Sequence, residues 1–154
     1  MDVKMILLPY NFTDLDKKAL EFVALTFSHI QGVKVTLFNV FTSAPSIAMK
    51  NNPIMKKMQE NVTYLKQLVA EQEMALDKAK EILVSNGFSE NSVRIVFKPK
   101  NKDIASHIID TAINEQHDVI VINRKSGRVN RFFTGSIFNK VIMALKDITI
   151  CIVT

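Results

Sequence analysis

Residues 118–154 read DVIVIN (Asp118–Asn123), RKSGRVNRFFTGS (124–136), IFNKVIMALKD (Ile137–Asp147) and ITICIVT (Ile148–Thr154). Two runs of branched apolar residues, Asp118–Asn123 and Ile148–Val153, have the length and composition of buried strands. Between them, Ser136–Leu145 has helical spacing. A strand, a long basic loop, a helix and a second strand make one turn of a parallel, helix-covered sheet. The loop is also where chemistry concentrates. Gly135 and Ser136 stand at the start of a helix, whose free N–H groups and dipole suit an anion.

The same alternation extends back to the start of the chain. Val3–Pro9 (VKMILLP) is an apolar run closed by proline. Thr13-x-x-Asp16 then makes a capping box with Asp in place of the usual Glu, and Asp14 adds charge at the positive end of the dipole. Leu20, Val23, Phe27 and Ile30 give the following helix one apolar face, and Gly32 stands where a left-handed stop is needed. Val33–Phe41 is a second strand rich in branched and aromatic residues. After a loop over 42–52, Pro53 suits the first position of a long helix reaching Ser85, with Met58, Val62, Leu65, Val69, Leu76, Ala79 and Leu83 along one stripe. Gly87 closes it. Ser92–Lys98 is the third strand, and Asp103–Gln116 a helix packing Ile104, Ile108 and Ala112. The Met-rich stretch around Met49, Met55 and Met58 reads as core filler. The expected fold is a single three-layer α/β domain over residues 1–154, doubly wound, Rossmann-like, with five parallel strands.

Composition narrows the function classes. The chain has 154 residues, 47% of them hydrophobic and 23% charged, and one cysteine, so it is long enough for a core and has no internal disulfide to form. A reducing, cytoplasmic setting is expected, since the start shows no signal-peptide pattern and the apolar runs fall short of the roughly 20 residues that span a bilayer. The net charge is +5, but Arg124, Lys125, Arg128 and Arg131 form the one dense basic cluster. Without an aromatic-interleaved basic strand or a recognition helix, a nucleic-acid partner is not expected.

Catalytic patterns are missing from the sequence. His29, His107 and His117 share no metal-ligand spacing with one another or with Cys151. His29 and His117 read as cations near helix ends, and His107 and Asp110 as neighbours on one helix with no placed serine to complete a triad. Cys151 reads as a buried small residue of a strand, and Asp14, Asp16 and Glu21 as cap and solvated surface. The expectation is a protein without catalytic residues or a bound metal, hence not an enzyme.

Over its whole length the chain resembles the universal stress protein family. The resemblance rests on ILLPYNFTDLDKKALEFV (Ile6–Val23), VTLFNV (Val35–Val40), VIVINRKSGRVNRFFTGSIFNKVI (Val119–Ile142) and ITICIVT (Ile148–Thr154). The family's first strand ends in Val-Pro followed by x-Asp-x-Ser. Here Leu8-Pro9-Tyr10-Asn11-Phe12-Thr13 takes its place, with Asn11 for the aspartate beside the adenine. Nucleotide-binding members carry G-x2-G-x9-G-[S/T] later in the chain. Gly135-Ser136 match its last element, while the earlier glycines fall on Ile122 and Lys125, or on Asn123 and Ser126 after a one-residue shift. Gly127 is the neighbouring glycine.

The resemblance implies strand order 3-2-1-4-5 and a dimeric, non-catalytic module of the stress response. The alternative it leaves open is an ATP-binding switch, with magnesium and slow hydrolysis. The nucleotide site implied comprises Pro9, Asn11, Val40, Asn123, Arg124, Ser126, Gly127, Gly135, Ser136 and Ile137, and the loop could equally hold a smaller anion. The homodimer implied pairs the final strands through Ile148, Ile150 and Ile152. An uncapped apolar terminal strand is an independent reason to expect that pairing.

Overall fold

A computed structural model describes residues 2–44, 53–124 and 137–154. The elements run β1 (Lys4–Pro9), α1 (Asp14–Phe27), β2 (Val33–Phe41), α2 (Pro53–Ser85), a 3-10 turn (Glu90–Ser92), β3 (Val93–Pro99), α3 (Ile104–Asn114), β4 (Val119–Asn123), α4 (Ile137–Ala144) and β5 (Thr149–Val153). All strand pairs are parallel, and the sheet order is β3-β2-β1-β4-β5. This is the three-layer, doubly wound α/β arrangement expected from the alternation of strands and helices.

The strands are apolar on both faces because helices cover both. Ile6, Leu8, Val35, Leu37 and Val121 pack with Leu20, Val23, Leu76, Ala79 and Leu83 of α1 and α2. Their neighbours Leu7, Phe38, Ile120 and Ile122 pack on the other face with Ala105, Ile108, Ala112 and Val141 of α3 and α4. The period-2 alternation of a strand thus feeds two cores instead of one core and a wet face.

Several helix ends follow their sequence signals closely. The Thr13 hydroxyl accepts from Asp16 N while the Asp16 carboxylate accepts from Thr13 N, completing the capping box. Beyond α2, Phe88 N–H donates to Leu83 O and Gly87 N–H to Val84 O, a Schellman closure with Gly87 at φ 123°. Leu83 and Phe88 are both buried in the same cluster, the apolar contact that accompanies that motif.

Four expectations change. The stripe on α2 is buried at Leu76, Ala79 and Leu83, whereas its first half is half-exposed or exposed, with Met58 44% accessible. A 33-residue helix is about 50 Å long at 1.5 Å per residue and outruns strands of five to nine residues. Ile30 lies beyond α1 and is exposed, so the apolar face stops at Phe27. His117 is not a surface cation: it is buried, with Nε2 3.0 Å from Thr36 Oγ1 and Nδ1 3.3 Å from Thr111 O. The Thr111 carbonyl can only accept, so the neutral ring carries its proton on Nδ1 and Nε2 accepts from the Thr36 hydroxyl, whose oxygen accepts from Arg94. Burial holds His117 below the usual imidazole range. Asp110 pairs with Lys102 instead of His107, and the buried His107 accepts from Asn101 N–H at 3.3 Å.

Candidate functional site

In a doubly wound sheet the crevice lies beyond the carboxyl ends of the strands, where the order reverses. Here that point is between β1 and β4, which pair through Ile6–Val119 and Leu7–Ile120. An open cavity of about 170 Å³ occupies it. Phe38, Val40, Ile104, Ile108, Ile122 and Phe138 supply apolar lining, and Asn11, Thr13, Asp16, Asn39 and Asn123 supply polar atoms.

The polar end is built on the turn between β1 and α1. Phe12 holds φ 63°, a left-handed conformation that disfavours a residue with a Cβ, by roughly 1–2 kcal/mol. Its ring meets Tyr10 edge-on at 5.3 Å and packs against the core, which offsets part of that cost. The turn aims successive N–H groups inward, a concavity of the kind that binds anions. Its occupant is the chain's own carboxylate. Asp16 Oδ2 accepts from Asn11 N and Thr13 N, both at 3.1 Å, and from Thr13 Oγ1 at 2.6 Å. Asn123, at the end of β4, donates its Nδ2 to Asp16 Oδ1 and so clamps the two sides of the crevice together.

Asp16 therefore departs from the sequence expectation. It caps α1 as its spacing implies, yet it is buried in the crevice, while Asp14 and Glu21 of the same helix are exposed. Burial first, and Asp16 second, push the Tyr10 phenol above its ordinary range. Asn39 Nδ2 donates to Tyr10 O at 2.8 Å, fixing that amide at the end of β2 and leaving its buried Oδ1 without a described partner.

Of the residues expected at the site, Pro9, Asn11, Val40, Asn123 and Ile137 line this cavity. Arg124 is not among the lining residues, but its guanidinium lies 6.0 Å from the ring of the cavity-lining Phe138, and its backbone N–H donates to Val153 O at 2.8 Å. Ser126, Gly127, Gly135 and Ser136, like Lys125, Arg128 and Arg131, lie outside the described residues. Lining residues that the sequence reading missed include Asp16, Phe38, Asn39, Ile104, Ile108 and Phe138. Their common signal is position at a strand end or in the first turns of the next helix, on the carboxyl side of the sheet. Among the described residues, no group of three His, Cys, Asp or Glu side chains is arranged to hold a metal ion. Nor is any described helix long and apolar enough to cross a membrane.

The sequence profile of the Universal stress protein family matches residues 3–146. The chain belongs to that family. Solved universal stress proteins share the fold. One, UspA from Lactobacillus plantarum, is 14% identical, with a TM-score of 0.68 over 100% of this chain and 99% of its own. A universal stress protein solved in complex with cAMP is 13% identical, with a TM-score of 0.67 over 99% of this chain and 98% of its own. The universal stress protein from Archaeoglobus fulgidus in complex with dAMP is 18% identical, with a TM-score of 0.62 over 99% and 98% of the two chains. Among curated protein sequences no match is found. The strand order is the one the resemblance implies, and Asn11, Val40 and Asn123 lie along one crevice.

Proposed function

We propose that this universal stress protein is a non-catalytic binding module of the stress response that holds an adenine nucleotide in the crevice between β1 and β4. The cavity itself carries this reading: an apolar slot for a flat ring, a polar rim for a sugar, and Arg124 beside Phe138 for a phosphate. Two of the solved relatives hold adenine nucleotides, cAMP and dAMP, which supports the same ligand class here. A binding role also agrees with the lining, whose one carboxylate is engaged as a helix cap.

The module acts as a homodimer paired edge to edge through β5, in the cytoplasm as the single cysteine suggests. Ile152 is 49% exposed on β5 and Met143 of α4 is 85% exposed. On α1, Phe22 and Leu25 are exposed, and Lys18 of that helix donates to Thr154 O at 2.7 Å. Apolar side chains thus flank an edge strand, which favours pairing with a second copy. Ile148 precedes β5 and, like Ile150, packs into the α3–α4 core, so Ile152 is the member of the three left for a partner.

Calorimetry and thermal melting with AMP, and with ATP in the presence and absence of magnesium, test the ligand. Saturable binding of an adenine nucleotide is expected. No heat and no melting shift at millimolar nucleotide would defeat the reading. Magnesium-dependent ATP binding with phosphate release would favour the hydrolysing switch instead.

A further inference from the structure

The geometry points to Asp16 as the group that takes the sugar hydroxyls of a bound nucleoside, a subsite that rests on the nucleotide reading above. Its carboxylate belongs to a residue only 3% exposed that lines the cavity, beside Asn11, Thr13 and Asn123. The described hydrogen bonds load its two oxygens unequally. Oδ2 receives three donors, Asn11 N, Thr13 N and Thr13 Oγ1, and Oδ1 receives one, Asn123 Nδ2. A carboxylate has about two acceptor positions on each oxygen, so Oδ1 keeps room for one more donor.

That spare acceptor selects the chemistry of what enters. Phosphate has acceptors and negative charge, and a buried carboxylate repels it with little screening. The backbone concavity at Asn11–Thr13, which would otherwise suit phosphate, is already filled by Asp16. Among the described residues no lysine or arginine lines the cavity, and the nearby cation, Arg124, lies beside the lining Phe138. A base fits the slot lined by Phe38, Val40, Ile104, Ile108 and Ile122. The sugar then falls at the polar end, with hydroxyl donors toward Asp16 Oδ1 and the phosphate directed out to Arg124. Buried carboxylates take ribose hydroxyls in the same manner in dinucleotide-binding folds. The ligand class is a ribonucleoside carrying few phosphates.

Calorimetric titration of the full chain with AMP, 2′-deoxy-AMP and 3′-deoxy-AMP tests the subsite, in the wild type and in Asp16→Asn. In Asp16→Asn the three donors keep the amide oxygen in the Oδ2 position. The NH2 group then replaces Oδ1 and turns the spare acceptor into a donor. Wild type is expected to bind AMP about tenfold or more tightly than at least one deoxy compound, the scale of a hydrogen bond to a charged group. In Asp16→Asn that ratio should fall to near one as AMP weakens. Equal wild-type binding of all three nucleotides, or a ratio that survives the substitution, overturns the subsite while leaving the nucleotide reading intact. No binding of AMP at all removes both. If Asp16→Asn does not fold, Asn123→Ala, which removes the described donor on Asp16 Oδ1, serves in its place: the AMP to deoxy-AMP ratio should change, and an unchanged ratio overturns the subsite.

Discussion

Two polar clusters, each built around buried groups, lie toward opposite ends of the same sheet. At the carboxyl end, Asp16, Asn11, Thr13, Asn39 and Asn123 meet in the crevice; nearer the amino ends, His117, Thr36 and Thr111 meet inside the protein. The His117 cluster is closed: both ring nitrogens are matched to partners and Arg94 completes the hydroxyl. The Asp16 cluster is open, with a single described donor on Asp16 Oδ1 and a buried Asn39 Oδ1 without a described partner. Polar groups that finish their hydrogen bonds internally stabilise a fold, and those left incomplete at a cavity are what a ligand can complete.

The contrast can be broken by substitution. Thr36→Val leaves His117 Nε2 without its donor in a dry interior. It should cost about 1–3 kcal/mol in urea denaturation and leave AMP affinity unchanged. Val40→Phe fills the apolar slot and should lower AMP affinity by about 10- to 100-fold, the range over which pockets discriminate by shape. Its effect on stability should be the smaller of the two, because Val40 is only half-buried. A Thr36→Val protein that loses nucleotide, or a Val40→Phe protein that binds it normally, would contradict the division of labour.

Acid should act on the two buried histidines, His117 of the closed cluster and His107 of α3. Burial is the first cause that lowers the imidazoles of both His117 and His107, so each binds its proton more readily in the unfolded chain. Stability is therefore full above the unfolded value, near pH 6.5, and is lost as pH falls through and below it. Melting curves from pH 8 to 5 should show this loss, at most about 1.4 kcal/mol per histidine per pH unit. His117→Gln should reduce the slope. A melting temperature that rises on acidification through this window would refute the sign.

The smallest effect belongs to a pair on one helix. Glu21→Ala, at an exposed position of α1, should shift stability by about 0.5 kcal/mol or less. Asp16→Ala, five residues earlier, removes the N3 carboxylate of the capping box, an acceptor of four donors, and should cost more than the roughly 1 kcal/mol of an ordinary cap. Equal losses would make Asp16 an ordinary surface cap.

Much of this was legible in the residues. Apolar runs of strand length, separated by helical stripes, specify the parallel sheet, and Gly87 marks the end of α2 by its left-handed conformation. The family resemblance placed Pro9, Asn11, Val40 and Asn123 at one site, and they meet at the crevice because the topology puts every β-to-α turn on one side. Asp16 was half legible. Thr13-x-x-Asp16 states the cap, a local property, but its clamp to Asn123 joins residues 107 apart and depends on β4 lying beside β1. His117 misled for the same reason: proximity to a helix end suggests a solvated cation, and the Thr36 partner lies 81 residues away. The stripe on α2 overstated burial because helical spacing does not say how far the sheet beneath extends.

Backbone amide NMR during titration with AMP tests the open-and-closed contrast most directly. Resonance changes should concentrate at Asn11, Thr13, Asp16, Asn39, Val40 and Asn123, and leave Thr36, Thr111 and His117 where they were. Changes centred on the His117 cluster, or no saturable change at either end with millimolar AMP, would contradict the account.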